Sequence, residues 1–239
     1  MESVLPGKEG DPGRTASDNR WFVEAILWIG RTGCPWRDLP KAFGRWHTVY
    51  MPLSRWRRNG VWERVIHALA DETGIRHMLI DSTIVRAHQH ASGAPKKNGP
   101  QAPGRSRDGL TTKLHLAVDD AGRPLRLHAT EGQVSEISCA HELVEHLRTG
   151  AVIADKGYDS NVFVKNICAT RAKAVIPPRS NRKTRRRYSR VLHRTRNIVE
   201  RFFSRIKHFR RVATRYDKLA GNYLAFASLA CAFGALVRM

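Results

Sequence analysis

Apolar residues first recur at helical spacing between Asn19 and Arg31, where Phe22, Ile26 and Ile29 share one face, with Trp21, Ala25 and Trp28 alongside. A Ser17-Asp18 pair supplies the N-cap, and Gly33, Pro35 and Pro40 close the segment. Further helices are predicted over Trp46 to Arg58 and from about Val61 to Asp71, ending before Gly74. Pro52 falls inside the second, where proline costs ~3 kcal/mol unless the helix kinks or begins there. Three short helices with a tight Gly/Pro turn fit a helix-turn-helix module, and they fit a plain helical cap equally well. Trp46, Trp56 and Trp62 read as core.

At His77 the period changes. His77 to Val85 is β-branched and short, as a strand is, with Asp81 inside it. Residues 91–110 carry Gly, Pro, Ser and basic side chains without an apolar period, which predicts a mobile loop. Lys113 to Val118 and Pro124 to Ala129 flank a turn at residues 119–122 and predict a hairpin antiparallel to the first strand. A helix from Glu136 to Leu147 follows, then a strand Ala151 to Ala154 ending on Asp155. Next come a helix from Ser160 to Arg171, a strand Ala174 to Ile176 stopped by Pro177-Pro178, and a helix from Arg194 to Arg211. This order describes a mixed α/β sheet with flanking helices, preceded by a small all-helical part. Tyr223 to Val237 is apolar, yet shorter than the ~18 to 20 residues that span a bilayer, and reads as a buried packing helix. The expected divisions are a flexible 1–17, a helical DNA-binding 18–74, a sheet-bearing 75–215 and a packing helix within 216–239.

Composition adds a partner. Among 239 residues, 42 Lys and Arg oppose 21 Asp and Glu, a net charge of +21 with a pI near 10.8. Such an excess points to a polyanion. A hydrophobic content of 41% and six Trp exclude a disordered basic tail. From Arg179 to Arg215 there are fifteen basic residues and one acidic residue, Glu200, so most of the excess lies in one segment. Cys34, Cys139, Cys168 and Cys231 form no CxxC pair, which suggests neither a zinc knuckle nor a disulfide framework. Residues 1–13 show no apolar signal core, so a cytoplasmic, nucleoid-associated protein is expected.

Three acidic residues stand where acidity is locally expensive. Asp81 interrupts an apolar strand, Asp155 ends another, and Glu200 lies among arginines. Strand ends and a covering helix can bring such carboxylates around hard cations such as Mg²⁺. Two metals ~3.5 to 4 Å apart serve in-line phosphoryl displacement. Each residue also has a plainer reading: Asp81 paired with Arg86, Asp155 with Lys156, Glu200 with Arg196 at i,i−4. The three taken together favour a site. Asp159 reads as the N-cap of the next helix, Asp119 and Asp120 as hairpin-turn residues, and His88 and His90 as a polar strand end. On one helix, Arg196, Glu200 and Lys207 fall within about 60 degrees of each other, beside an apolar face of Val199, Phe202, Phe203 and Ile206.

These residues carry a resemblance. Gly33-Cys34-Pro35-Trp36-Arg37-Asp38-Leu39-Pro40, Ile80-Asp81-Ser82-Thr83, Ala87-His88-Gln89-His90, Ala154-Asp155-Lys156-Gly157-Tyr158-Asp159, Ile176-Pro177-Pro178-Arg179 and Arg196 to Lys207 resemble the DDE transposases of bacterial insertion sequence family 5, over nearly the full chain. The last segment matches the signature Y-x2-R-x3-E-x6-K at Arg196, Glu200 and Lys207, with His193 at the tyrosine position. The resemblance implies an RNase H-like catalytic domain with Asp81, Asp155 and Glu200 as catalytic and metal-binding residues for two Mg²⁺ or Mn²⁺ ions. It implies hydrolysis at element ends, then attack of the freed 3′-hydroxyl on target DNA. Arg196, Lys207, Lys156, Arg205, Arg55, Arg57 and Arg58 are the candidate contacts to double-stranded DNA, and a homodimer or higher assembly is expected in the synaptic complex. Two other classes stay open: an impaired copy acting only as a DNA-binding protein, and a metal-dependent endonuclease without strand transfer.

Overall fold

The computed structural model describes residues 4–8, 11, 18–70, 74–93, 101–106 and 109–236. Helix α1 (Asn19–Thr32) is capped by Asp18, whose carboxylate accepts from the Trp21 amide, and it stops at Gly33 in the left-handed region, φ 71°. Helix α2 (Trp46–Arg58) runs through Pro52 without a break, and α3 (Val61–Leu69) follows after Asn59 and Gly60. The expected α3 end at Asp71 lies outside the described residues. Trp56 and Trp62 are buried as predicted.

Among the described residues, seven strands form one sheet: β1 (His77–Ala87), β2 (Gly104–Ser106), β3 (Gly109–Asp119), β4 (Pro124–Glu131), β5 (Ala151–Ile153), β6 (Lys173–Val175) and β7 (Thr214–Arg215). β1 pairs antiparallel with β3 along almost its whole length, and β3 carries β2 and β4 on its other edge. Asp119 accepts from the Ala121 and Arg123 amides and closes the β3–β4 turn, the role expected of it. β2 lies inside the stretch expected as a mobile loop, because Gly104 to Ser106 add to the edge of β3. The rest of that loop, 94–100 and 107–108, lies outside the described residues, as do 1–3, 9–10 and 12–17 of the N-terminal segment.

The other edge of β1 positions the site. Its first residues pair in parallel with β5, which continues to β6, and its last two pair with β7. Between these partners, residues 80–85 have no strand neighbour on that edge among the described residues.

Two expected helices are broken. Glu136 to Leu147 is a 3-10 turn at Glu136–Ser138 and a short α4 (Ala140–Val144), ending before His146, which adopts φ 59°. After α5 (Asn161–Ala169), Arg194 to Arg211 is not one rod. It is the end of α6 (Arg190–Arg194), then α7 (Asn197–Ile206) and α8 (Arg210–Ala213). Helix α9 (Ala220–Leu236) is apolar all round and accordingly buried.

The sheet separates two cores. Leu79, Val85, Leu114 and Leu116 face a core shared with Ile26, Leu53, Trp62, Phe202 and Phe226, drawn from α1–α3, α7 and α9. Met78, Ile80 and Val152 face Leu143, Phe163 and Ile167 of α4 and α5. The boundary expected at residue 74 therefore separates stretches of chain but not cores, since the N-terminal helices bury their apolar faces against the helical side of the sheet. No helix among the described residues is long and apolar enough to cross a membrane.

Candidate active site

The β1–β5 register brings two acids level. Leu79 is opposite Ile153 in the parallel pair. Continuing that register by two residues sets Asp155 beside Asp81, both on the face toward α7. Leaving β5, Asp155 caps a 3-10 turn at Lys156–Tyr158, its Oδ1 accepting from the Gly157 amide at 2.7 Å.

Helix α7 lies across the unpaired stretch of β1. Its burial of Val199, Phe202, Phe203 and Ile206 turns Glu200 outward along the sheet edge. Arg196, just before the helix, donates from Nη1 to Asp81 Oδ2 at 3.1 Å and from Nη2 to Glu200 Oε1. One guanidinium thus bridges two acids 119 residues apart in sequence. At the other end of α7, Lys207 Nζ donates to Thr83 Oγ1 at 2.6 Å.

Burial pushes the Asp81 carboxyl up to about 6; Arg196 and the Ser82 amide pull it down, while Asp155 and Glu136 push it further up. Desolvation outweighs the arginine, so Asp81 is a carboxylate short of positive charge. Lys207 is lowered by burial. His193 is lowered chiefly by burial and by Arg196, while its hydrogen bond to the Ala154 backbone, Asp155 and Glu200 act the other way. Among the described residues, no three His, Cys, Asp or Glu side chains converge closely enough to hold a metal ion at once. Arg196 stands between Asp81 and Glu200.

The other sequence-selected residues divide. Lys156 is exposed beside Asp155. Arg205 lies over the Phe202 ring and donates to the Gly234 carbonyl, so it packs α7 against α9 instead of joining the acids. Arg57 lays its stem against Gly221, while Arg55 and Arg58 are exposed at the end of α2. Asp159 does not cap α5; Ser160 does, because the Asp159 carboxylate is turned inward and held by Arg182, Arg186 and the Arg179 amide.

Two residues beside the acids escaped the sequence reading. Glu136 Oε1 accepts from Ser82 Oγ at 2.9 Å. Tyr158 is fully buried with no partner for its hydroxyl, and its phenol is raised by burial, by Glu136 and by Asp81. In the sequence Glu136 reads only as the start of a helix. Tyr158 stands in the 154–159 segment that carries the resemblance, but nothing in the sequence marks its hydroxyl as buried and unpartnered.

A mixed sheet of this order, with helices on both faces and an acid-bearing helix across the exposed edge of its first strand, defines an RNase H-like fold. The piggyBac transposase in its synaptic complex with hairpin DNA has a similar fold, at a TM-score of 0.56 and 12% identity over 98% of this chain and 68% of that one. Residues 72–233 match the transposase DDE domain family, and residues 1–66 match a transposase family of IS4/5 type. The chain therefore belongs to the DDE transposases of insertion sequences, enzymes that cut and join DNA. Among relatives described as “Putative transposase”, that of element IS6501 from Brucella ovis is 37% identical over 128 residues, 52% of this chain and 96% of the relative. That of element IS402 from Burkholderia cepacia is 29% identical over 171 residues, 66% and 74% respectively.

Proposed function

We propose that this transposase cuts insertion-element ends and joins them to target DNA by phosphoryl transfer, with Asp81, Asp155 and Glu200 as the metal-holding catalytic carboxylates. The observation that carries this reading is the Asp81–Arg196–Glu200 bridge beside Asp155. It supports a site in which acids from β1, the end of β5 and α7 face one another, each fixed by its own element.

The donor set suits Mg²⁺ or Mn²⁺. Carboxylate oxygens are hard ligands, and a desolvated Asp81 next to two further acids gains from a cation. Two such ions, when bound, activate the attacking oxygen and stabilise the leaving one. The chain's own residues do the remainder. Arg196 neutralises Asp81 and Glu200 and fixes the direction of Glu200. Lys207, anchored on Thr83 along the same strand, reaches a phosphate near the acids, and Lys156 reaches one beside Asp155. Arg55, Arg57 and Arg58 bring α2 to the DNA backbone as part of an end-binding segment, 18–74. The same acids serve hydrolysis at element ends and then attack of the freed 3′-hydroxyl on target DNA, in a homodimer or larger assembly.

The test is Mg²⁺-dependent cleavage of a supercoiled plasmid carrying the element's terminal repeats, with Asp81→Ala alongside. End-specific cleavage and strand transfer by the unaltered chain, lost in the variant, are expected. Cleavage unchanged by Asp81→Ala would remove Asp81 from the chemistry, and nicking without end preference would reduce the enzyme to a nuclease.

A further inference from the structure

Glu136 enters the active site from the far side of the sheet. Side chains alternate along β1, so Ser82 points away from Asp81, toward the layer that contains α4 and α5. Glu136 takes the Ser82 hydroxyl with Oε1. Its second oxygen, Oε2, extends past the end of β5 to the turn that carries Asp155. A Cβ added at Gly157 would lie 1.8 Å from Glu136 Oε2 and 2.9 Å from Asp155 Oδ1. Both oxygens therefore adjoin the same point, and the two acids face each other across the space that a methyl group would fill. Any side chain at position 157 would have to displace the Glu136 carboxylate from that space.

Two like charges held this close repel unless a cation sits between them. Among the described residues, Ser82 is the one hydrogen-bond donor to Glu136, and it engages Oε1. Among the described residues no basic side chain pairs with Oε2, whereas Arg196 pairs with both Asp81 and Glu200. Tyr158, at the end of the turn that Asp155 caps, is fully buried with its hydroxyl unpartnered, and Glu136, Asp81 and Asp155 all raise its phenol. A buried hydroxyl without a partner calls for an explanation, and a polar ligand in the field of these acids supplies one.

We propose that Glu136 is a fourth carboxylate of the divalent-cation site, holding the ion on the Asp155 side through Oε2 while Ser82 fixes Oε1. This rests on the reading that Asp81 and Asp155 bind metal, and it assigns their site a ligand from outside the Asp–Asp–Glu set. Arg196 then serves the Asp81–Glu200 side, and Glu136 the Asp155 side.

The test is binding of Mn²⁺ to the full-length, DNA-free chain, read from the loss of the free-ion signal in electron paramagnetic resonance and from the rise of Tm. Glu136→Gln keeps the Ser82 hydrogen bond and the side-chain volume and removes only the charge. We expect Mn²⁺ affinity to fall about 10- to 100-fold, the range for altered metal-site neighbours, with the metal-free Tm no lower than that of the unaltered chain. Glu136→Asp keeps the charge but shortens its reach, and weakens binding too. Unchanged Mn²⁺ binding in either folded variant, where Asp155→Asn loses it, overturns the proposal and leaves the three-acid site standing. Unchanged binding in Asp81→Asn and Asp155→Asn as well, or no Mn²⁺ response in the unaltered chain, overturns both.

Discussion

Lys207 and Thr83 lie 124 residues apart in sequence and are joined by a 2.6 Å hydrogen bond, which fastens the end of α7 to β1 two residues beyond Asp81. The ammonium is lowered in pKa by burial, so it sits where a phosphate would strengthen its charged form. Lys207→Met keeps the apolar stem and removes the charge. Stability should change by no more than about 1 kcal/mol, the worth of one partly exposed hydrogen bond. Cleavage should fall at least tenfold while affinity for the element ends falls far less. Equal loss of both, compared by turnover and by filter binding, would make Lys207 a general contact.

Asp81 and His115 impose opposite pH dependences on stability. Asp81 is pushed up to about 6 by burial, so between the ordinary carboxylate pKa and about 6 the folded chain holds a proton the unfolded chain has lost. Stability therefore falls as pH rises through that window, by about 3 kcal/mol. His115 is fully buried, its Nε2 on Thr130 Oγ1 at 2.8 Å, and burial with Lys113 and His128 nearby pushes it down to about 4. Here the unfolded chain takes the proton first, and stability is lost as pH falls from 6.5 to about 4, again by about 3 kcal/mol. The two nearly cancel in the unaltered chain. Urea melts in EDTA should separate them: the advantage of Asp81→Asn, present at pH 7, disappears toward pH 4, whereas that of His115→Gln appears only on acidification. Parallel pH profiles for all three proteins would contradict both assignments.

Asp159 holds the arginine-rich loop against the turn that carries Asp155. Its carboxylate is fully buried and meets Arg182, Arg186 and the Arg179 amide, while the Arg179 side chain donates to the Lys156 and Gly157 carbonyls. Removing the charge leaves two guanidiniums, each about a quarter exposed, with neutral partners alone, Asn161 among them. Asp159→Asn should cost roughly 2 kcal/mol, below the usual figure for a buried pair because water reaches the arginines. Arg182→Met should cost less, since Arg186 remains. Timed trypsin digestion reads the local effect: residues 179–190 should be cut sooner in Asp159→Asn, and an unchanged rate would show that the loop is held elsewhere.

The same residues show what sequence can and cannot reveal. Asp81 was legible because an acid inside an apolar strand is anomalous, and Glu200 because it stands alone among fifteen basic residues. Their union through Arg196 follows partly from helical spacing, but the placement of Asp81 level with Asp155 depends on a strand register that no local pattern encodes. Glu136 read as the polar start of a helix, since its partner Ser82 is 54 residues away. Asp159 read as a cap for the same reason, its arginines lying 23 and 27 residues on. β7, at two residues, is too short to show any period. The shared core escaped because α9, apolar on every side, packs with both the N-terminal helices and α7.

The basic segment, finally, does not present all its charge to DNA. Arg215 is fully buried against Thr112 and the Asp217 and Lys218 carbonyls, Arg211 is buried against Asp217, and Arg205 is packed on Phe202. Arg182, Arg186 and Arg196 are engaged with acids. Lys183, Arg185, Arg187, Arg190 and Arg194, by contrast, are exposed along the loop and α6 that lead into the site. Each phosphate neutralised adds about −0.9 to the slope of log affinity against log salt. Gln at Arg185, Arg187 or Arg190 should therefore weaken binding to any duplex and flatten that slope by about one apiece. Arg211→Gln and Arg215→Gln should leave the slope unchanged and lower Tm instead, because they strand Asp217 and two carbonyls in the interior. A slope that responds equally to buried and exposed arginines would show that the segment rearranges on DNA.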